Sequence, residues 1–229
     1  MLHYLPGCDV RKNHPQAVLK MQKYMRNQNA KIEKCCRVHD KLLEDGDTII
    51  NNCTLCDIVL RETHPHHQCL SLYEYVLNDK DFLWQDHRGE VITLQDCWRT
   101  RDNLVMQKAI RQCLQKMNFT IIEMEENYDK TKFCGVWLYN SPAQDCIDVA
   151  PQTFHHIIEN YTQLLPEDKQ IQLMKEWVSQ YTTEHIVVYC NGCERGIKLG
   201  GGKPIHMIEL LTEGLWEGFY DSTYNEKYD

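Results

Sequence analysis

The 229-residue chain carries 25 Lys and Arg against 33 Asp and Glu, a formal charge of -8, which speaks against a surface that tracks nucleic-acid phosphates. Its length can bury a core without staples, yet it holds 12 cysteines, more than packing asks for. No run of about eighteen apolar residues appears, and Met1-Leu2-His3-Tyr4-Leu5-Pro6 lacks the basic and apolar stretches of a signal peptide, so a cytoplasmic protein without a transmembrane segment is expected.

In chain order, Leu2 to Leu5 reads as a short apolar strand running into Pro6-Gly7-Cys8. Pro15 to Asn29 reads as a helix, with Pro15 in its first turn and Val18, Met21 and Met25 at helical spacing. Lys34-Cys35-Cys36 and a charged, helix-like piece follow. The strand Thr48-Ile49-Ile50 then delivers Asn51-Asn52-Cys53-Thr54-Leu55-Cys56, with a helix start at Asp57.

The order recurs in the second half. Val91 to Leu94 is a strand leading to Asp96-Cys97, and Trp98 to Met117 has helical spacing. Phe119 to Ile122 is a strand, and Phe133-Cys134-Gly135 stands in the place of Cys35-Cys36. A helical insert spans about Pro151 to Trp177, after which His185 to Tyr189 feeds Cys190-Asn191-Gly192-Cys193. Each Cys-x-x-Cys precedes a polar turn with a proline (Pro65, Pro204) and an apolar stretch with an acid (Glu74, Glu209). The pattern predicts an α/β protein of two pseudo-symmetric lobes, each a mainly parallel sheet with flanking helices, spanning residues 1–90 and 91–229.

Ligands of parallel sheets gather where strands pass into helices. Cys8, Cys53, Cys97 and Cys190 all follow apolar strands, so each is expected on that edge, where helix-start amides can hydrogen-bond sulfur. In a reducing cytosol, cysteines at such short spacings read as metal ligands or redox centres. The first set, Cys8, Cys35, Cys36, Cys53 and Cys56, has one thiol more than a mononuclear zinc or a cubane takes. Its adjacent pair points apart on extended backbone, which suits a larger cluster. The second set, Cys97, Cys134, Cys190 and Cys193, fits a cubane iron-sulfur cluster or a zinc ion.

Leu5-Pro6-Gly7-Cys8, Lys34-Cys35-Cys36 and Asn51-Asn52-Cys53-Thr54-Leu55-Cys56 resemble the CCG motif of the cysteine-rich subunit of heterodisulfide reductase. Similar domains occur in the iron-sulfur subunits of glycolate oxidase and anaerobic glycerol-3-phosphate dehydrogenase and in lactate utilisation proteins. The resemblance covers nearly the whole chain up to about Leu215. It implies that the five N-terminal thiols bind a non-cubane 4Fe-4S cluster at which a disulfide is reduced. Two departures stand out: the Cys36 to Cys53 interval is short with Arg37 in the place of a glycine, and Phe133 replaces the first cysteine of the second pair.

The expected function is that of an iron-sulfur oxidoreductase subunit that reduces a disulfide or relays electrons. Neither a ferredoxin Cys-x-x-Cys-x-x-Cys run nor a Rossmann glycine fingerprint is present, so an iron-sulfur or flavin partner subunit is expected to supply the electrons. The alternatives are a zinc- or iron-sulfur-stapled assembly or regulatory protein, and a metal-free dithiol oxidoreductase of the thioredoxin kind. Cys69, Cys113 and Cys146 fall outside both sets, with Cys113 on an apolar helix face. His64-Pro65-His66-His67 reads as a polar turn, and Gly196 to Lys203 fails the phosphate-loop spacing because Ile197 and Pro204 stand at its ends. Trp216 to Asp229 reads as a frayed acidic tail.

Overall fold

A computed structural model describes residues 1–34, 36 and 43–215. The first lobe runs β1 (Leu2–Leu5), α1 (Cys8–Asn13), α2 (Pro15–Asn27), β2 (Lys31–Ile32), β3 (Thr48–Asn51), α3 (Thr54–Thr63), β4 (Gln68–Ser71) and α4 (Leu72–Asn78). The second runs β5 (Val91–Leu94), a 3₁₀ turn (Trp98–Thr100), α5 (Leu104–Lys116), β6 (Thr120–Glu123), two further 3₁₀ turns (Tyr128–Lys130 and Trp137–Tyr139), α6 (Gln144–Val149), α7 (Pro151–Tyr161) and α8 (Glu167–Val178). It ends with β7 (His185–Val188), α9 (Asn191–Leu199), β8 (Lys203–His206) and α10 (Met207–Glu213).

Both sheets are four-stranded, in the orders β2-β1-β3-β4 and β6-β5-β7-β8, and every pairing within them is parallel. The two orders coincide when β1 is matched with β5. The lobes also meet reciprocally: α4 packs on α5 and α10 on α2, while α3 meets the 98–100 turn and α9 meets α1. This exchange of equivalent partners is what a pseudo-twofold axis between duplicated units produces. One hydrophobic core runs through it, joining Tyr4, Met21 and Tyr73 to Ile92, Tyr189 and Leu211.

The same symmetry governs a polar contact. The residue after each Cys-x-x-Cys reaches the residue that caps the opposite lobe's first long helix: Asn103 Nδ2 donates to Asp57 Oδ1 at 3.1 Å, and His14 Nε2 lies 2.9 Å from Glu194 Oε2. Glu209 holds the other His14 nitrogen at 3.0 Å. Burial works against the His14 cation, but the bonds to both carboxylates prevail and raise its pKa to about 9.

Two expectations need correction, and the helical insert packs in a way that its spacing did not indicate. The helix expected over Trp98 to Met117 is broken, because the Asn103 side chain accepts the Met106 N–H and starts α5 afresh. Pro204 lies in β8 rather than in a turn; β8 is an edge strand, where a missing N–H is tolerated. The insert is three helices, of which α8 stays with its own lobe on α9 while the other two cross. α6 and α7 pack on α3, where Cys146, Ala150 and Phe154 close a second apolar cluster with Leu5, Ile49 and Leu60. No helix among the described residues is long and apolar enough to cross a membrane.

Candidate metal-thiolate site

Each apolar strand of the sheet centres ends in a cysteine. Cys8 opens α1, Cys53 caps α3, Cys97 caps the 98–100 turn and Cys190 caps α9. Cys56 and Cys193 follow their partners by three residues, one helical turn on, so both thiols of a pair face the same end of the helix.

In the second lobe the thiols of Cys97, Cys134, Cys190 and Cys193 are all buried and lie within 4.8 Å of one another. Cys97 and Cys134 sulfurs are 3.7 Å apart, close to the edge of about 3.8 Å that a tetrahedron with 2.3 Å Zn–S bonds requires. The set can therefore hold a metal. One sulfur–sulfur separation is thus that of a tetrahedral ion, and the others are at most 4.8 Å.

Cys134 reaches the set because its loop rests backbone to backbone on α9. Gly135 has φ +56°, and a Cβ there would fall 1.9 Å from the Gly192 carbonyl oxygen. Phe133, in the place of the missing cysteine, turns its ring onto Trp177 at 4.8 Å between centroids. Its carbonyl accepts from the Trp98 N–H at 2.8 Å and lies 3.9 Å from Cys193 Sγ. Behind the site, the Tyr189 hydroxyl accepts the Cys97 N–H and donates to Asp96, which Arg111 anchors.

In the first lobe, Cys8, Cys36, Cys53 and Cys56 line one pocket. Cys56 Sγ is within hydrogen-bonding reach of both Cys36 and Cys53. Gly7 permits this arrangement: its φ is +76°, and a Cβ there would stand 2.6 Å from Cys53 Cβ. Cys35 lies outside the described residues.

Two residues enter this pocket that spacing did not select. Cys146, from α6, is part of its wall, brought there only because the insert crosses to the other lobe. Arg99 is the other. It is 7 % exposed, its Nη1 lies 3.7 Å from Cys190 Sγ, and its guanidinium sits 4.0 Å over the Trp137 ring. Its counterpart after Cys8 is the apolar Val10, so the repeat itself held no signal for it.

The charge balance follows the same symmetry. The Cys190 thiol is pulled well below its ordinary pKa, first by hydrogen bonds from Cys134, Cys193 and Cys97 and, against its burial, by Arg99. Cys53 is lowered too, chiefly by the Cys56 thiol, with the Cys56 and Leu55 amides and Arg99 adding to it against burial. Cys97 and Cys193 are pushed up, most of all by burial. The first cysteine of each Cys-x-x-Cys is thus the one whose thiolate is favoured, and one buried arginine acts on both.

Comparison with protein-family models, curated proteins and solved structures gives no match.

The pocket has polar atoms to spare. Thr54 Oγ1 and both side-chain atoms of Asn191 are buried without a hydrogen-bond partner, and both residues line it. Leaving such atoms unpaired costs about 1–3 kcal/mol each, so these residues, with the surrounding thiols, fit a polar, anionic occupant such as a sulfide-bearing cluster. The remaining cysteines behave otherwise. Cys113 is fully buried in the core, and Cys69, on β4, is pushed to about 11 mainly by burial. The His64 to His67 segment is a turn after α3, and Gly200 to Gly202 link α9 to β8.

Proposed function

We propose that the chain is the metal-thiolate subunit of an oxidoreductase, with a structural metal on Cys97, Cys134, Cys190 and Cys193 and a redox-active 4Fe-4S cluster on the first-lobe thiols. The observation that carries this reading is the convergence of two thiol sets on Arg99, one a compact group of four thiols and one lining a pocket with unpartnered polar atoms. The resemblance to the cysteine-rich subunit of heterodisulfide reductase supports it from the sequence side.

A cluster at the first set would supply single electrons at a potential tuned by its surroundings. The residues of this chain would hold it through Cys8, Cys36, Cys53 and Cys56, with Cys35 as the fifth thiol. They would offset its charge with Arg99 and the α3 amides, and keep bulk water from its buried side. Reduction of a disulfide takes two electrons and two protons, so an iron-sulfur or flavin partner subunit is the electron source. A reducing compartment, the cytoplasm above all, keeps the thiols competent for ligation.

A second reading, a metal-stapled assembly or regulatory protein without redox chemistry, is favoured by one observation: one sulfur–sulfur separation in the compact set is that of a tetrahedral ion. Anaerobic reconstitution with iron and sulfide, followed by iron and acid-labile sulfide analysis and EPR, separates the two. The oxidoreductase reading expects about four irons and four sulfides per chain at the first set and an EPR signal on one-electron reduction or oxidation. Uptake of a single metal without sulfide overturns it.

A further inference from the structure

A cleft lies beside the thiol pocket, between α3, the 98–100 turn and α7. It holds about 630 Å³ of empty space, its open mouth included, and its walls carry Arg61, Arg99, Arg101, Trp98, His156 and Tyr161. We propose that this cleft binds a small organic anion, carrying a carboxylate or phosphate group, next to the thiol centre.

The charge of the cleft runs against that of the molecule. The chain as a whole has a formal charge of -8, yet this cleft gathers three guanidinium groups and a single carboxylate, Asp102. Asp102 is a weak counter-ion: it is 75 % exposed and stands 3.6 Å from Arg101. Arg61 is paired from outside the cleft by Asp57 at 2.5 Å, which fixes its position and leaves its other donors for a ligand.

Arg101 sits over two aromatic rings that meet each other at 4.9 Å between centroids, its guanidinium carbon 4.3 Å from the Trp98 centroid and 4.4 Å from that of Tyr161. Such stacking orients the planar fork without using its N–H donors. The same rings give the cleft flat apolar walls, which suit an organic anion better than a bare inorganic one.

Arg99 makes the cleft more than a charged surface. It is buried and has a donor, Nε, without a partner, and it lines both this cleft and the thiol pocket. A buried cation with an unused donor is costly, and an anion in the cleft supplies what it lacks. A ligand held there is one guanidinium away from Cys190 and Cys53. The binding itself depends on the arginines, not on which metal the thiols hold.

The test is calorimetric titration of the full chain, zinc-loaded and metal-free, with benzoate, inorganic phosphate and the neutral isostere benzamide. Benzoate is expected to bind in both forms, benzamide at least about tenfold more weakly, since hydrogen bonds to a charged group contribute about 1.5–3 kcal/mol. Arg61→Ala and Arg101→Gln should each weaken benzoate by about 10- to 100-fold, while Arg26→Ala, on an exposed site of α2, should not. Circular dichroism confirms that each variant is folded. Equal binding of benzoate and benzamide, unchanged affinity in folded Arg61→Ala and Arg101→Gln, or no benzoate or phosphate binding up to about 10 mM overturns the proposal. Metal content, measured on the same samples, reports separately on the thiol centres.

Discussion

Replacing Arg99 by methionine should shift the protonation of the thiol centre, and the size of the shift can be worked from the structure. Arg99 Nη1 is 3.7 Å from Cys190 Sγ, a separation at which a cation and a thiolate attract by about 4 kcal/mol at an effective dielectric of 20. Methionine keeps much of the volume over Trp137 and removes the charge. Without the cation the thiolate is less favoured, so the Cys190 pKa rises, although the hydrogen bonds from the neighbouring thiols that lower it most remain. Metal must displace the thiol protons. The pH at half-saturation with cobalt(II), followed by thiolate-to-cobalt charge-transfer absorption, should therefore rise by about 0.5–0.8 units, the lost attraction being divided over the four thiol protons that the metal displaces, with Arg99→Lys between the two. A half-saturation pH within about 0.3 units of the parent, in a variant with unchanged circular dichroism, would refute this role for Arg99.

Gly135→Ala should lower stability by more than the roughly 1–2 kcal/mol of a left-handed alanine, because its Cβ meets the Gly192 carbonyl; Gly89→Ala, at φ +80° with open space around it, should lose only that amount, both read by urea unfolding. Cys113→Ala should cost about 1 kcal/mol of packing and leave the metal content per chain unchanged, whereas Cys36→Ser should reduce the iron and sulfide retained at the first set. His14 is raised from 6.5 to about 9, so its contribution to stability is complete below about pH 6.5 and fades as pH climbs through 9. The thermal midpoint of the parent should thus fall more than that of His14→Gln over this range, and parallel curves would remove His14 from the lobe contact.

Much of this architecture is legible in the residues. The duplication shows as two strands, each ending in Cys-x-x-Cys, because a thiol at the start of a helix must follow directly on the strand that delivers it. What the chain order conceals is contact across the pseudo-twofold axis. Cys146 sits in an insert of the second lobe, and only the packing of α6 and α7 against α3 brings it to the first thiols. Arg99 has no counterpart in the first repeat, and an arginine two residues past a cysteine carries no mark of burial. The break at Asn103 was hidden because Trp98 and the residues after it keep a helical spacing across it. A side-chain cap, not periodicity, decides where α5 begins.

The central claim is that the four buried cysteines of the second lobe hold a metal. Native mass spectrometry of the anaerobically purified chain tests it most directly, comparing the parent with Cys97→Ser/Cys190→Ser. A mass excess of at least one zinc or iron ion that is lost in the double variant while the first-lobe thiols remain is the predicted result. A parent chain at its bare polypeptide mass, even after exposure to zinc or iron under reducing conditions, would contradict it.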